Sequence, residues 1–529
     1  MTRPPTSNVR EHKGPFGTPD GSRADLEDIL HDFVALDGRP GFGGVATRAD
    51  DAMVRVIVGR IGAGKTVYMR RLFSYQEASK SVYADPPQQD LPQTDLVIQA
   101  CQWFPSELLT EKWMQLWHRA ILRSLTTHLL TARELRGAVE AAEAAAIRGE
   151  YGHLIGKFRQ PRSIYSELRD IIFSHNAAIH LRRYLENPDW DDLESVLADL
   201  LRESMPVFFY LDAVDERINS APMYWLRCQE GLFMQVMQLL RDSRFGSRLH
   251  VVVCVRELVL ASIYRSEHAP RYHNEPHIRV LDWSREAIEF LLRQKIERLT
   301  DEFLMAPSLP SGSLSWLGRT WVHNEARGVD EDVLEYIIRH TRLIPRDIVS
   351  LGNDLCQVVA QQKSLGRTEV PGEVLRRVVS LAAKRFGDSQ LAQCASQIAA
   401  DAIPRHAVKK GFADFYLSDQ EYARSLRQEL KEIIRVVGVD RFDAGDLHQM
   451  EELAKQGFDG AASIASILWQ NGLLGYVEGA RYNFYSVSDM NELELPRHAH
   501  EYVFHPCLMD AVPGLRPSGR EVVYPYYRE

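Results

Sequence analysis

The sequence predicts an α/β fold: a parallel sheet with a large helical insertion, a helical lid and a C-terminal winged helix-turn-helix. Three observations predict it. Short apolar runs at Met53–Val58, Val207–Leu211 and Leu249–Val255 have the near-continuous hydrophobicity of strands buried on both faces. Residues 105–204 carry helical periodicity and no convincing strand signal. Residues 420–529 hold three helical stretches followed by a hairpin pattern, the order of a winged helix.

A chain of 529 residues suggests two to four domains. The expected divisions are a disordered tail at 1–23, a core at 24–285, a lid and linker at 286–419, and a winged-helix domain at 420–529. With 45% hydrophobic and 26% charged residues, the composition is that of a soluble globular protein. A net charge of −9 opposes a mainly electrostatic attachment to DNA or acidic lipid, although a local basic face fits such a total. The six cysteines are scattered without metal spacing and read as reduced core thiols of a cytosolic protein. The stretch 1–23 lacks the apolar segment of a signal peptide. No run of about 18 apolar residues predicts a membrane span. The expected compartment is the cytoplasm, with no membrane partner.

In chain order, Asp25–Leu36 reads as a short helix before the Gly38–Gly41 break. Met53–Val58 is the first strand, Thr66–Ser74 a helix, and Leu96–Ala100 a second strand. Helices are then expected over Ser106–Leu130, Ala132–Glu150, Ser163–Arg183 and Trp190–Glu203. Strand signals resume at Val207–Leu211, Leu249–Val255 and Ile278–Leu281. Helices follow at Glu286–Leu299, Glu331–Arg339, Asp347–Gln362, Glu373–Phe386 and Asp388–Ala400. The last region has helices at Tyr422–Val437, Asp446–Gln456 and Ala461–Gln470, then the run from Gly472 and the strand Ala480–Val487.

The segment Gly59-Arg60-Ile61-Gly62-Ala63-Gly64-Lys65-Thr66, continued by Val67, fits the pattern GxxxxGK[ST] in full. It lies between a hydrophobic strand and a helix, the context that a phosphate-binding loop requires. Glycines let successive N–H groups curl round a phosphate, and the helix N-terminus adds its dipole. Lys65 is placed to bridge β- and γ-phosphates, and the Thr66 hydroxyl to ligate Mg²⁺. The chain therefore reads as a P-loop NTPase with ATP or GTP and Mg²⁺ as ligands. Such a site also needs an acid at the end of a neighbouring strand. Asp212 follows Val207–Leu211 and is the expected metal acid. Asp215 and Glu216, just beyond it, are the candidates to polarise an attacking water.

The string Leu211-Asp212-Ala213-Val214-Asp215-Glu216 resembles the extended acidic strand end of the STAND class of P-loop ATPases. The strand ending in Arg256 resembles that family's sensor strand, which implies an arginine that feels the γ-phosphate. The segment Arg342-Leu343-Ile344-Pro345-Arg346 is similar to the proline motif of the helical lid, and to the sensor arginine segment of AAA+ ATPases. Arg342 stands where the lid motif usually has glycine. The resemblance rests on four short segments within 50–529, and the long helical insertion is closest to bacterial STAND-like ATPases of defence or signalling. It implies a nucleotide-controlled switch with slow ATP turnover, catalytic roles for Asp215, Glu216 and Arg256, and nucleotide contacts from Pro345 and Arg346. It also implies assembly into a homo-oligomer and a separate protein as effector or sensor.

Two other classes compete with this reading. A DNA-acting AAA+ ATPase of initiator type would use the winged helix on duplex. However, Ala461–Gln470 holds no Lys or Arg and presents an apolar stripe of Ile464, Ile467, Leu468 and Trp469. Arg481, Arg424, Arg427 and Lys431 leave room for phosphate contact. A small-molecule kinase would need an acceptor base and an arginine-rich lid; neither stands at a convincing position, but the inserted helices could form a substrate cap. The histidines 268, 273, 277, 498, 500 and 505 lack metal-ligand spacing.

Overall fold

A computed structural model describes residues 14–21, 53–88, 93–135, 139–175, 177–212, 222–245, 248–272, 275–410, 412–457, 463–485 and 494–527. The expected helix at 25–36, and the candidates Asp215, Glu216 and His273, lie outside the described residues.

The first sheet is built from β1 (Val56–Gly59), β2 (Tyr83–Ala84), β3 (Val207–Leu211), β4 (Leu249–Val255) and β5 (Ile278–Leu281). Its order is β2-β3-β4-β1-β5 and every pairing is parallel. Residues alternate between two cores. Val56, Val58, Phe209, Leu211, Val253 and Val255 face one, while Ile57, Phe208, Tyr210, Val252 and Cys254 face the other. Burial on both faces is why these strands read as unbroken apolar runs. Leu96–Ala100 is not a strand. It belongs to the helix Thr94–Gln102, where Val97, Ile98, Ala100 and Cys101 are all buried. The true second strand has only two residues, too short for a pattern.

The helical insertion is part of the core rather than an appended cap. Its helix Leu109–Thr131 buries Trp113 and Trp117 in the same cluster as β1, β3 and β4. Fully burying a large apolar side chain contributes about 1.5–3 kcal/mol. Further insertion helices are Ala141–Glu150, Ile164–Ser174, Ala178–Leu185 and Asp189–Glu203.

The lid region begins with the helix Arg285–Glu297 and includes an unpredicted hairpin, β6 (Trp321–Asn324) and β7 (Val329–Asp332). Glu331 is therefore in a strand, and the following helix starts at Val333. The helices Pro345–Ser364 and Gly372–Lys410 follow, the second continuous where the sequence suggested a break at Gly387.

The last region contains the helix Phe412–Val437, β8 (Arg441–Asp443), and the helices Ala444–Gly457 and Ile464–Gln470. It continues with β9 (Leu474–Glu478), β10 (Arg481–Phe484), β11 (Glu501–Phe504) and β12 (Pro525–Tyr527). These strands form a second sheet ordered β12-β10-β9-β11-β8. Phe484, Val503 and Val523 pack into the lid core with Leu334, Ile337 and Leu355. Every residue of Ile464–Gln470 is buried. All six cysteines are free and buried, and no helix among the described residues is long and apolar enough to cross a membrane.

Residues 14–21 are not the loose tail that their composition predicts. Phe16 is wholly buried, its ring 5.3 Å from that of Trp316. Asn353 clamps the segment, accepting from Phe16 N at 2.8 Å and donating to the Gly17 carbonyl at 2.9 Å.

Candidate functional site

The parallel sheet brings the C-terminal ends of β1, β3 and β4 to one edge, where α/β folds place their ligands. At that edge stand Gly59, Asp212 and Arg256.

The loop from Gly59 to Gly64 closes tightly. A Cβ on Gly59 would lie 3.2 Å from that of Ala63. Gly62 and Gly64 have φ of 88° and 96°, the left-handed region that glycine enters without strain. The Ala63 amide donates to the Arg60 carbonyl at 3.1 Å, turning the chain over Ile61 and Gly62. The helix Lys65–Ser79 then opens with no side-chain cap and no acid in its first turn. Its leading N–H groups, with Thr66 and Val67 among them, form a positive end suited to an anion.

Lys65 lies back on the loop, its Nζ donating to the carbonyls of Gly59 at 2.9 Å and Arg60 at 3.2 Å. The Thr66 hydroxyl donates to Asp212 Oδ1 at 3.2 Å. Asp212 is 2% exposed. Its amide donates to the Gln88 carbonyl at 3.0 Å, and its own carbonyl accepts from the Tyr165 hydroxyl at 2.8 Å. Arg256, also 2% exposed, follows β4 and stands at the N-cap position of the helix Glu257–Tyr264.

The lid reaches the loop through its proline motif. Pro345 occupies the first turn of Pro345–Ser364, where its missing N–H leaves nothing unsatisfied. Arg346 N donates to the Gly62 carbonyl at 3.2 Å, and Arg346 Nε to the Pro19 carbonyl at 3.2 Å. Arg342 is structural: it is buried, and its guanidinium donates to both Asp347 oxygens at 2.9 and 2.7 Å. Leu343, between Arg342 and Pro345, takes a left-handed φ of 52°.

Three contacts were not legible in the sequence. Trp283 Nε1 donates to the Ala63 carbonyl at 3.0 Å. Arg60 Nη2 donates to the Tyr485 carbonyl at 2.9 Å, fastening the loop to the C-terminal region. Gln470 accepts from Arg265, which follows the Arg256 helix. Between the loop, Trp283 and Ile344 remains a cleft of only about 10 Å³. Close by, burial pushes the wholly buried His505 down to about 3, with the charges of Arg60, Arg342 and Arg339 acting the same way.

Among the described residues no group of three or more His, Cys, Asp and Glu forms a ready metal cage. Thr66 and Asp212 supply two hard oxygens instead, a donor set that suits a cation completed by water and phosphate.

The fold and this edge define a mixed α/β protein with an all-parallel five-stranded sheet. No protein-family model matches the chain, and no curated protein matches it in sequence.

Proposed function

We propose that the chain is a P-loop ATPase that binds ATP with Mg²⁺ at residues 59–67 and acts as a nucleotide-controlled switch or assembly scaffold in bacterial signalling or defence. The observation that carries this reading is the 3.2 Å contact between Thr66 and Asp212 beside Lys65, at the mouth of a left-handed glycine loop. Oxygens at that separation suit neighbouring positions around one Mg²⁺, whose ligands stand about 2.0–2.1 Å away. Such an ion would neutralise phosphate charge and orient the phosphates.

The chain's own residues then have distinct tasks. Lys65 leaves two loop carbonyls to meet phosphate, so anion binding reshapes the loop. That loop is bonded to the lid through Arg346, to the strand end through Trp283 and to the C-terminal region through Arg60. In this reading nucleotide loading shifts the helix that begins at Pro345, since its Arg346 is bonded to the loop. Asp215 and Glu216 are the water-polarising candidates, with Arg256 and Arg346 as phosphate sensors. Such a switch acts in the cytoplasm and assembles with its own copies and a separate protein effector.

The winged-helix reading of the C-terminal region draws on its helix–strand–helix–helix–hairpin order. Complete burial of Ile464–Gln470 argues for a packing role and against the DNA-acting AAA+ alternative.

Steady-state ATP turnover with and without duplex DNA, beside Lys65→Ala, tests the proposal. Slow turnover that needs Lys65 and ignores DNA is expected. Stimulation by DNA of about tenfold, or about 1.4 kcal/mol of coupling, would favour the DNA-acting alternative. Absence of nucleotide binding by the wild type overturns both.

A further inference from the structure

The Asp212 peptide is held from both sides, and one hold comes from the helical insertion. Its N–H bonds to the Gln88 carbonyl at 3.0 Å, and its C=O to the Tyr165 hydroxyl at 2.8 Å. Fixing both groups fixes the rotation about the Asp212 backbone, and with it the direction in which the carboxylate leaves toward Thr66.

The same short stretch of insertion makes a second bond to this corner. The Ile164 amide, one residue before Tyr165, donates to Gln88 Oε1 at 2.9 Å. Gln88 Nε2 donates in turn to Asp85 Oδ2 at 2.6 Å, and Asp85 Oδ1 meets His128 Nε2 at 3.3 Å. Behind Tyr165 stands Trp117, ring centroids 6.1 Å apart at 67°, itself fixed by an indole bond to the Cys228 carbonyl at 2.9 Å. Tyr165 and Trp117 are both fully buried, so the ring has a wall behind it.

We propose that Tyr165 is a positioning residue for the metal-binding acid: through its hydroxyl the helical insertion sets the stance of Asp212, and so the affinity of the site for Mg²⁺. The inference rests on the nucleotide reading above. It gives the insertion a role at the phosphate site, with a shift of Ile164–Ser174 transmitted to Asp212 most directly through the Tyr165 hydroxyl. Partners that orient a ligating carboxylate typically contribute about 10–100-fold in metal affinity or activity.

The test is Mg²⁺ titration of a fluorescent ATP analogue on the full chain, read as binding, for Tyr165→Phe, Tyr184→Phe and Asp212→Asn. Tyr184 is the control, since its buried hydroxyl donates to the Leu154 carbonyl at 2.9 Å inside the insertion, away from Asp212. Tyr165→Phe should need about tenfold more Mg²⁺ for half-maximal binding, with analogue affinity in EDTA unchanged. Tyr184→Phe should lower the melting temperature without moving the Mg²⁺ requirement. An unshifted Tyr165→Phe beside a shifted Asp212→Asn overturns this inference and leaves the nucleotide reading intact. An equal shift in Tyr184→Phe overturns it as well, by showing a general loosening of the insertion. A wild type with no Mg²⁺-dependent binding overturns the nucleotide reading itself. If Tyr165→Phe does not fold, Trp117→Phe replaces it, with a raised Mg²⁺ requirement expected and a wild-type requirement overturning the inference.

Discussion

Arg346 rests directly on Gly62: its main-chain nitrogen donates to the Gly62 carbonyl at 3.2 Å, and a Cβ on Gly62 would lie 2.7 Å from that of Arg346. The lid can approach the loop this closely only because residue 62 has no side chain. Gly64 makes an informative contrast, since a Cβ there meets nothing within 4 Å although its φ is also left-handed, at 96°.

Gly62→Ala is therefore expected to destabilise more than Gly64→Ala. Gly64→Ala carries the backbone strain alone, of order 1–2 kcal/mol. Gly62→Ala adds a clash that pushes the lid off the loop. Urea unfolding of both variants checks the order, and equal losses would contradict the contact.

Arg60→Met keeps the unbranched apolar stem and removes the guanidinium with its bond to the Tyr485 carbonyl. A hydrogen bond from a charged donor contributes about 1.5–3 kcal/mol, and a loss of that size is expected in the unfolding free energy measured in urea. Arg60→Lys should recover only part of it, because an ammonium lacks the planar reach of a guanidinium.

Stability should fall on the acid side of neutrality. His505 is held neutral when folded, with its pKa pushed down to about 3, and burial also lowers His340 well below the ordinary value. Between these values and about 6.5 the unfolded chain binds protons that the folded one refuses, so stability rises with pH across that window. The contribution is whole above about 6.5 and is lost as pH falls. For His505 alone the loss between pH 7.5 and 5.5 is about 1.4 kcal/mol. His505→Gln should lose correspondingly less than the wild type over the same interval, measured by urea unfolding at both pH values.

The β6–β7 hairpin is tied to the C-terminal region by a buried ion pair, Arg327 with Asp440, only 5% and 1% exposed. Asp440 also accepts from the Ser518 amide at 2.7 Å. Asp440→Ala leaves the buried Arg327 guanidinium with only the Gly519 and Glu521 carbonyls and should cost about 3 kcal/mol. Asp440→Asn retains an acceptor and should cost less. A loss below 1 kcal/mol for the alanine variant, on the ordinary ±0.5 kcal/mol scale of surface changes, would contradict a structural role.

The strands β1, β3 and β4 were legible because burial on both faces leaves an unbroken apolar run. The same logic misread Leu96–Ala100, whose buried face looks identical over five residues although the chain there is helical. The continuous Gly372–Lys410 helix was cut at Gly387, where the glycine serves packing: a Cβ would stand 2.6 Å from that of Ala511. Within the site, the loop 59–66 was readable because it is contiguous and its chemistry demands particular residue types. Tyr165 and Trp283 were not, since each acts on a backbone carbonyl, 47 and 220 positions away, and a carbonyl leaves no mark in a sequence.

Phe16 fills the place where Gly352 has no side chain, a Cβ there lying 2.3 Å from its ring. Five residues further on, the Gly21 carbonyl accepts from Arg70 of the helix that opens the loop, at 2.9 Å. The chain between these two anchors can stretch to about 17 Å and no further. While Phe16 stays seated and Gly21 stays bonded to Arg70, those few residues cap the separation of the two helices they join.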